Sequence, residues 1–163
     1  MKTLTIIPSR LSATRLPGKP LLKIKGLSII SHVFKRAQEA NIGDVVVATE
    51  DQEIVNDVIK NGGRAILTSN DHKTGTDRIY EALKKLEIKG VDLIMNLQGD
   101  EPAINIEDII NLNKKMVTNQ PVQGRDSSSY TLVPPFWAQF QRFRHCRALC
   151  AMNHGNVIPL TSP

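Results

Sequence analysis

Apolar residues through position 116 fall into two alternating spacings. Leu4-Thr5-Ile6-Ile7 is a short apolar run closed by Pro8, which predicts a buried strand entering a loop. From Ser28 to Ala40, the residues Ile29, Ile30, Val33, Phe34 and Ala37 recur at helical spacing, with Lys35, Arg36 and Glu39 opposite them. Asp44 to Ala48 is a second strand, dominated by β-branched Val45, Val46 and Val47. Asp51 to Lys60 repeats the helical spacing through Ile54, Val55, Val58 and Ile59, and Gly62-Gly63 stops it. Ala65-Ile66-Leu67 predicts a third strand, and Thr76 to Leu86 a third helix capped by Thr74 or Thr76. Val91 to Leu97 predicts a fourth strand, and Ile106 to Met116 begins another helix. Repeated strand–helix alternation implies an α/β fold: a mostly parallel, doubly wound sheet with helices on both faces. Ligands of such sheets bind outside the carboxyl ends of the strands.

Three polar clusters follow strands one, three and four, where that rule looks for chemistry. Pro8 to Pro20 carries Arg10, Arg15 and Lys19 and no acid, on a loop stiffened by Pro17 and freed at Gly18. Such a loop suits a polyphosphate, although it matches neither a Walker A sequence nor Gly-x-Gly-x-x-Gly; the plainer alternative is a solvated basic loop. Asn70 to Arg78 leads into the third helix, whose first-turn N–H groups can meet a carbonyl or an anion. Arg78 there opposes the helix dipole, so another group must hold it. His72 reads by itself as a loop histidine, and a Thr-capped helix with surface charges explains this spacing equally well. Gln98-Gly-Asp-Glu-Pro102 follows the run Leu93 to Leu97, so Asp100 emerges at the end of a buried strand, where a carboxylate needs a cation. Mg²⁺ fits, because it takes one or two carboxylates together with substrate phosphates and waters; an acidic turn shaped by Gly99 and Pro102 is the alternative.

Composition sharpens the picture in one respect. The 163 residues carry a net charge of +5, but residues 1–116 hold 17 basic and 15 acidic side chains, so no concentrated basic face for nucleic acid is visible there. All 12 Lys and every Glu precede Val117, whereas both Cys and five of the seven aromatic residues follow it. Two differently composed segments are joined, and the expected division is 1–116 and 117–163. Two cysteines make no disulfide framework, no apolar run approaches the roughly 20 residues of a membrane span, and Pro8 and Arg10 interrupt any signal peptide. A cytoplasmic address with no membrane partner is expected.

The motifs Pro8-Ser-Arg10, Arg15-Leu-Pro-Gly-Lys-Pro20, Gly75-Thr-Asp-Arg78 and Gln98-Gly-Asp-Glu-Pro102 together resemble the 3-deoxy-manno-octulosonate cytidylyltransferases, or CMP-Kdo synthetases. The resemblance covers residues 1 to about 116. It implies a Rossmann-like nucleotidyltransferase that couples CTP to the acidic sugar Kdo, releases pyrophosphate and makes CMP-Kdo for lipopolysaccharide. It further implies that Arg10, Arg15 and Lys19 hold the CTP phosphates, with Arg15 and Lys19 nearest the leaving pyrophosphate. Thr74, Gly75 and Arg78 would line the cytidine pocket, Gln98 would lie beside the sugar and ribose, and Asp100 would bind Mg²⁺. Arg15, Lys19 and Asp100 are thus the candidate catalytic residues.

After Met116 none of the family's patterns follows. In the family that second half supplies the rest of the sheet, much of the sugar pocket, a second metal-binding Asp and most of the homodimer contact. Residues 117–163 read instead as out-of-frame or replacement sequence. His145, Cys146, Cys150 and His154 match no standard zinc spacing. Arg142, Arg144 and Arg147, interleaved with Phe140 and Phe143, leave a nucleic-acid-binding tail as one alternative function. A non-catalytic CTP-binding remnant is another.

Overall fold

The computed structural model describes residues 2–12, 16–72, 74–88 and 90–117 with their side chains, and the backbone at 118, 138–143 and 148–151. In chain order the elements are β1 (Thr3–Ser9), a 3-10 turn (Lys19–Leu21), β2 (Lys23–Ile24), β3 (Leu27–Ser28) and α1 (Ile29–Glu39). They continue with β4 (Gly43–Thr49), α2 (Gln52–Lys60), β5 (Ala65–Leu67), α3 (Gly75–Leu86), β6 (Leu93–Leu97) and α4 (Ile106–Thr118), followed by β7 (Ala138–Phe143) and β8 (Ala148–Ala151).

The main sheet has the order β5-β4-β1-β6-β7-β8. Strands β5, β4, β1 and β6 are parallel, with Thr3 opposite both Gly43 and Leu93, and β7 runs antiparallel to β6. The chain therefore builds outward from β1 to β5, then returns past β1 to lay down β6 on its other side. That reversal leaves a crevice between the carboxyl ends of β1 and β6.

Strand alternation sorts the core into two layers. Leu4, Ile6, Val46, Ala48 and Ile94 face Ile79 and Ala82 of α3. Ile7, Val45, Val47, Met95 and Leu97 face Ile30, Val33, Phe34, Ile54, Val58 and Ile109 of α1, α2 and α4. Each of these large side chains contributes about 1.5–3 kcal/mol by leaving water. The helices thus cover both faces, as the alternation predicts.

Two close approaches tighten this arrangement. A Cβ on Gly43, whose φ is +152°, would lie 2.0 Å from the Thr3 carbonyl oxygen, so β1 and β4 pair here only because no side chain intervenes. Ser28 caps α1 by accepting from the Ser31 N–H, and both hydroxyls donate to Asp57 of α2, which ties the two helices together.

Candidate nucleotide site

A cleft of about 350 Å³ opens at the carboxyl ends of β1 and β6. Its walls come from the loop after β1, the loop between β5 and α3, and the turn after β6, the three segments singled out by their polar sequence. Arg10, Lys19, Thr74, Gly75, Arg78, Gln98 and Asp100 all line it, so seven of the eight candidate residues are brought together. The eighth, Arg15, lies outside the described residues.

Backbone geometry explains the convergence. Gly99 packs where an added Cβ would stand 3.0 Å from the Pro8 carbonyl oxygen, so the ends of β1 and β6 meet closely. The first loop closes on itself through a hydrogen bond from the Gly18 N–H to the Leu11 carbonyl (3.0 Å), and Gly18 takes a left-handed φ of 72° before the 3-10 turn. That turn delivers Lys19, whose Nζ lies 2.9 Å from Asp100 Oδ2 across the crevice. The two side chains are 35% and 53% exposed, so this is an ion pair in water's reach and a weak one. Thr74 is the N-cap of α3: its hydroxyl accepts from the Asp77 N–H and donates to the Asp77 carboxylate. The cap leaves the first-turn N–H groups of Gly75 and Thr76 without an intrahelical acceptor, and Gly75 lines the cleft.

Arg78 occupies a different setting. It is 3% exposed, and its guanidinium donates to Thr68 Oγ1 (2.7 Å), to the Ser69 carbonyl (3.4 Å) and to the carboxylate of Glu50. Glu50 is the partner that its position against the helix dipole required. One turn further along α3, Glu81 accepts from the Ser69 N–H (2.9 Å), from His72 Nε2 and from Lys85 Nζ. Burial pushes the Glu81 carboxyl up, but hydrogen bonds from Lys85, His72 and Ser69, with the charge of Lys85, outweigh it and hold the group at about 2.

Sequence reasoning passed over Glu50, Asp51, His72 and Glu81 as working parts of this region. Asp51 stands at the N-cap of α2 yet makes no side-chain cap; its carboxylate accepts instead from the Leu11 N–H at 2.7 Å and anchors the first loop. Ser12 adds a bond to Glu50 at 3.3 Å. An acidic pair at the carboxyl end of the second strand was the available signal. Among the described residues no three His, Cys, Asp or Glu side chains gather as a metal cluster. Asp100 is the one carboxylate among the described residues lining the cleft, a donor set that fits Mg²⁺ only if substrate phosphates and waters complete its shell.

The family description Cytidylyltransferase matches residues 4–151. The chain belongs to the cytidylyltransferase family. Over 113 residues it is 54% identical to 3-deoxy-manno-octulosonate cytidylyltransferase of Bradyrhizobium sp., covering 67% of this chain and 46% of that protein. Among solved structures it is similar to CMP:2-keto-3-deoxy-manno-octonic acid synthetase complexed with CTP, with 44% identity and a TM-score of 0.68 over 73% of this chain and 48% of the other. A cytidylyltransferase from Leptospira borgpetersenii matches at 28% identity and a TM-score of 0.63, over 74% and 51% of the two chains. The chain thus has the Rossmann-like nucleotidyltransferase fold expected from its motifs. It spans about half the length of the curated relatives it matches. Among the described residues no helix is long and apolar enough to cross a membrane.

Proposed function

We propose that this chain carries the nucleotide half of a CMP-Kdo synthetase, which transfers a cytidylyl group from CTP to Kdo in the cytoplasm for lipopolysaccharide. The observation that carries the reading is the convergence of three loops at the β1–β6 crevice, with Lys19 and Asp100 facing each other across it. The anomeric hydroxyl oxygen of the sugar would attack the α-phosphorus of CTP. The bond to the bridging oxygen would break with its electron pair leaving on pyrophosphate, and the hydroxyl proton would pass to solvent. Such a transfer asks the protein for position and positive charge rather than for a nucleophile.

Arg10, Arg15 and Lys19 supply that charge to the phosphates, with Arg15 and Lys19 serving the leaving group. Thr74 and Gly75 present the start of α3 to the cytidine, Arg78 shapes that wall, and Gln98 stands at the sugar side. Asp100 would hold Mg²⁺, which when bound neutralises phosphate oxygens. The residues with this role all fall within 1–116, and β7 and β8 from the remaining segment extend the same sheet beside β6.

The test is pyrophosphate release by the 163-residue chain given CTP, Kdo and Mg²⁺, beside a CTP titration. Release that requires Kdo and is lost in Asp100→Asn is the expected result. Because the Lys19–Asp100 pair is exposed, that variant should lose less than about 1 kcal/mol of stability while losing Mg²⁺-dependent CTP binding. The same cleft also admits a second reading, a CTP-binding chain without turnover. Saturable CTP binding without release would select it, and absence of CTP binding by the folded chain would overturn both.

A further inference from the structure

We propose that Glu81 is a positioning residue for the nucleotide base: by gripping Ser69 and His72 it fixes the β5–α3 loop as the wall on which the base lies. The inference rests on the CTP-binding reading above and goes further, to what sets that wall's shape.

The two sides of the cleft differ in chemistry. The loop after β1 and the turn after β6 bring Arg10, Lys19 and Asp100, groups that serve phosphates and their counterion. The facing wall brings His72, Thr74 and Gly75, and among the described residues the one cation lining it, Arg78, is buried with its named donors spent on Glu50, Thr68 and Ser69. A wall of backbone groups, a hydroxyl and a flat ring offers an uncharged heterocycle both hydrogen bonds and a stacking surface.

Such a wall discriminates only if it keeps its shape, and α3 holds it from below. Arg78 takes the Ser69 carbonyl at 3.4 Å, and Glu81, three residues on, takes the Ser69 N–H at 2.9 Å. Both peptide groups at Ser69 are therefore bound to one rigid helix. The same Glu81 carboxylate accepts from His72 Nε2, which turns a histidine at the cleft into a fixed surface. Lys85, one turn further, engages the other carboxylate oxygen at 2.6 Å and leaves the first to Ser69 and His72. Held at about 2, the carboxyl remains an acceptor at any working pH.

The experiment compares Glu81→Gln, His72→Gln and Lys85→Met in the full chain. Amide exchange at Ser69 is read in the free protein, and CTP, UTP and tripolyphosphate are titrated. Glu81→Gln should speed Ser69 exchange and weaken CTP about tenfold, the worth of one charge-assisted hydrogen bond. Tripolyphosphate should stay within about twofold, and the preference for CTP over UTP should fall. His72→Gln, which keeps the Ser69 anchor, should repeat the effect on CTP without the change in exchange. Lys85→Met should leave CTP binding within about twofold. Unchanged Ser69 exchange, unchanged CTP affinity, or a parallel loss of tripolyphosphate binding would each overturn the inference. A wild-type chain that binds no CTP would instead sink the function proposed above.

Discussion

Glu50→Ala should be among the costliest single substitutions at the rim of this cleft, although Glu50 touches no candidate substrate group. The side chains of Arg78 and Glu50 are 4% and 14% exposed and form an ion pair that joins the end of β4 to the first turn of α3. Removing one partner of a buried pair typically costs about 3–5 kcal/mol, because the other charge is stranded. Arg78 would keep its bonds to Thr68 and Ser69, which brings the expected loss to about 2–4 kcal/mol. Arg78→Met should cost less, about 1–3 kcal/mol, since Glu50 is nearer water and the variant also removes a cation from a helix N-terminus. The double variant should be less destabilised than the sum of the two by about 1–3 kcal/mol. Urea unfolding at neutral pH measures all three, against a whole-domain stability of about 5–15 kcal/mol. A Glu50→Ala loss below about 1 kcal/mol, or additivity within about 0.5 kcal/mol, would refute the claim that burial makes this pair a structural tie.

Two further predictions concern the framework. The Glu81 carboxyl lies near 4.5 unfolded and at about 2 folded, so its contribution is complete above about pH 4.5 and is lost as pH falls towards 2. The full shift corresponds to about 3 kcal/mol. With a fifth of the side chain in water and Lys85 half-exposed, screening reduces this to about 1–2 kcal/mol. Urea midpoints from pH 7 to pH 3 should therefore fall less steeply in Glu81→Gln than in the wild type, and parallel curves would contradict the assignment. Gly43→Ala would drive a methyl group to 2.0 Å from the Thr3 carbonyl oxygen and should cost at least about 3 kcal/mol or abolish soluble expression. A Gly43→Ala chain with an unchanged unfolding midpoint would show that β1 and β4 can slide apart at no cost.

Most of the frame was legible because its signals are local. The buried strands β1, β4 and β6, the partly exposed strand β5 and the four helices each carry their own local signal, and the observed ends differ from the expected ones by no more than two residues. The cleft was legible too, since strand–helix alternation implies ligands at the carboxyl ends of the strands and the polar clusters stand there, whereas the strand order came only from the structure. The β2–β3 hairpin escaped because two-residue strands have no period to read; its only mark is Lys25-Gly26, where both residues take positive φ. Strands β7 and β8 were not foreseen either, their segment having no clear alternation.

Arg78 shows where sequence reading stops. Its conflict with the helix dipole announced a missing partner, but Glu50 is 28 residues away, and the pairing of β4 with β5 and the packing of α3 on β4 bring the two together. Glu81 carries no local mark in the sequence, because Ser69 and His72 reach it through a loop whose path the sequence does not encode locally.

Burial also separates two ion pairs that are chemically alike. Lys19–Asp100 and Arg78–Glu50 both join separate segments at the carboxyl ends of the sheet. In the first, both charges stay within reach of water, so either partner can be traded for a phosphate or a cation at a cost of about 1 kcal/mol or less. In the second, the charges are desolvated, and exchanging a partner would expose a buried ion. A site that must bind and release a charged nucleotide needs the first kind of pair where the phosphates pass. It needs the second where the walls must hold still.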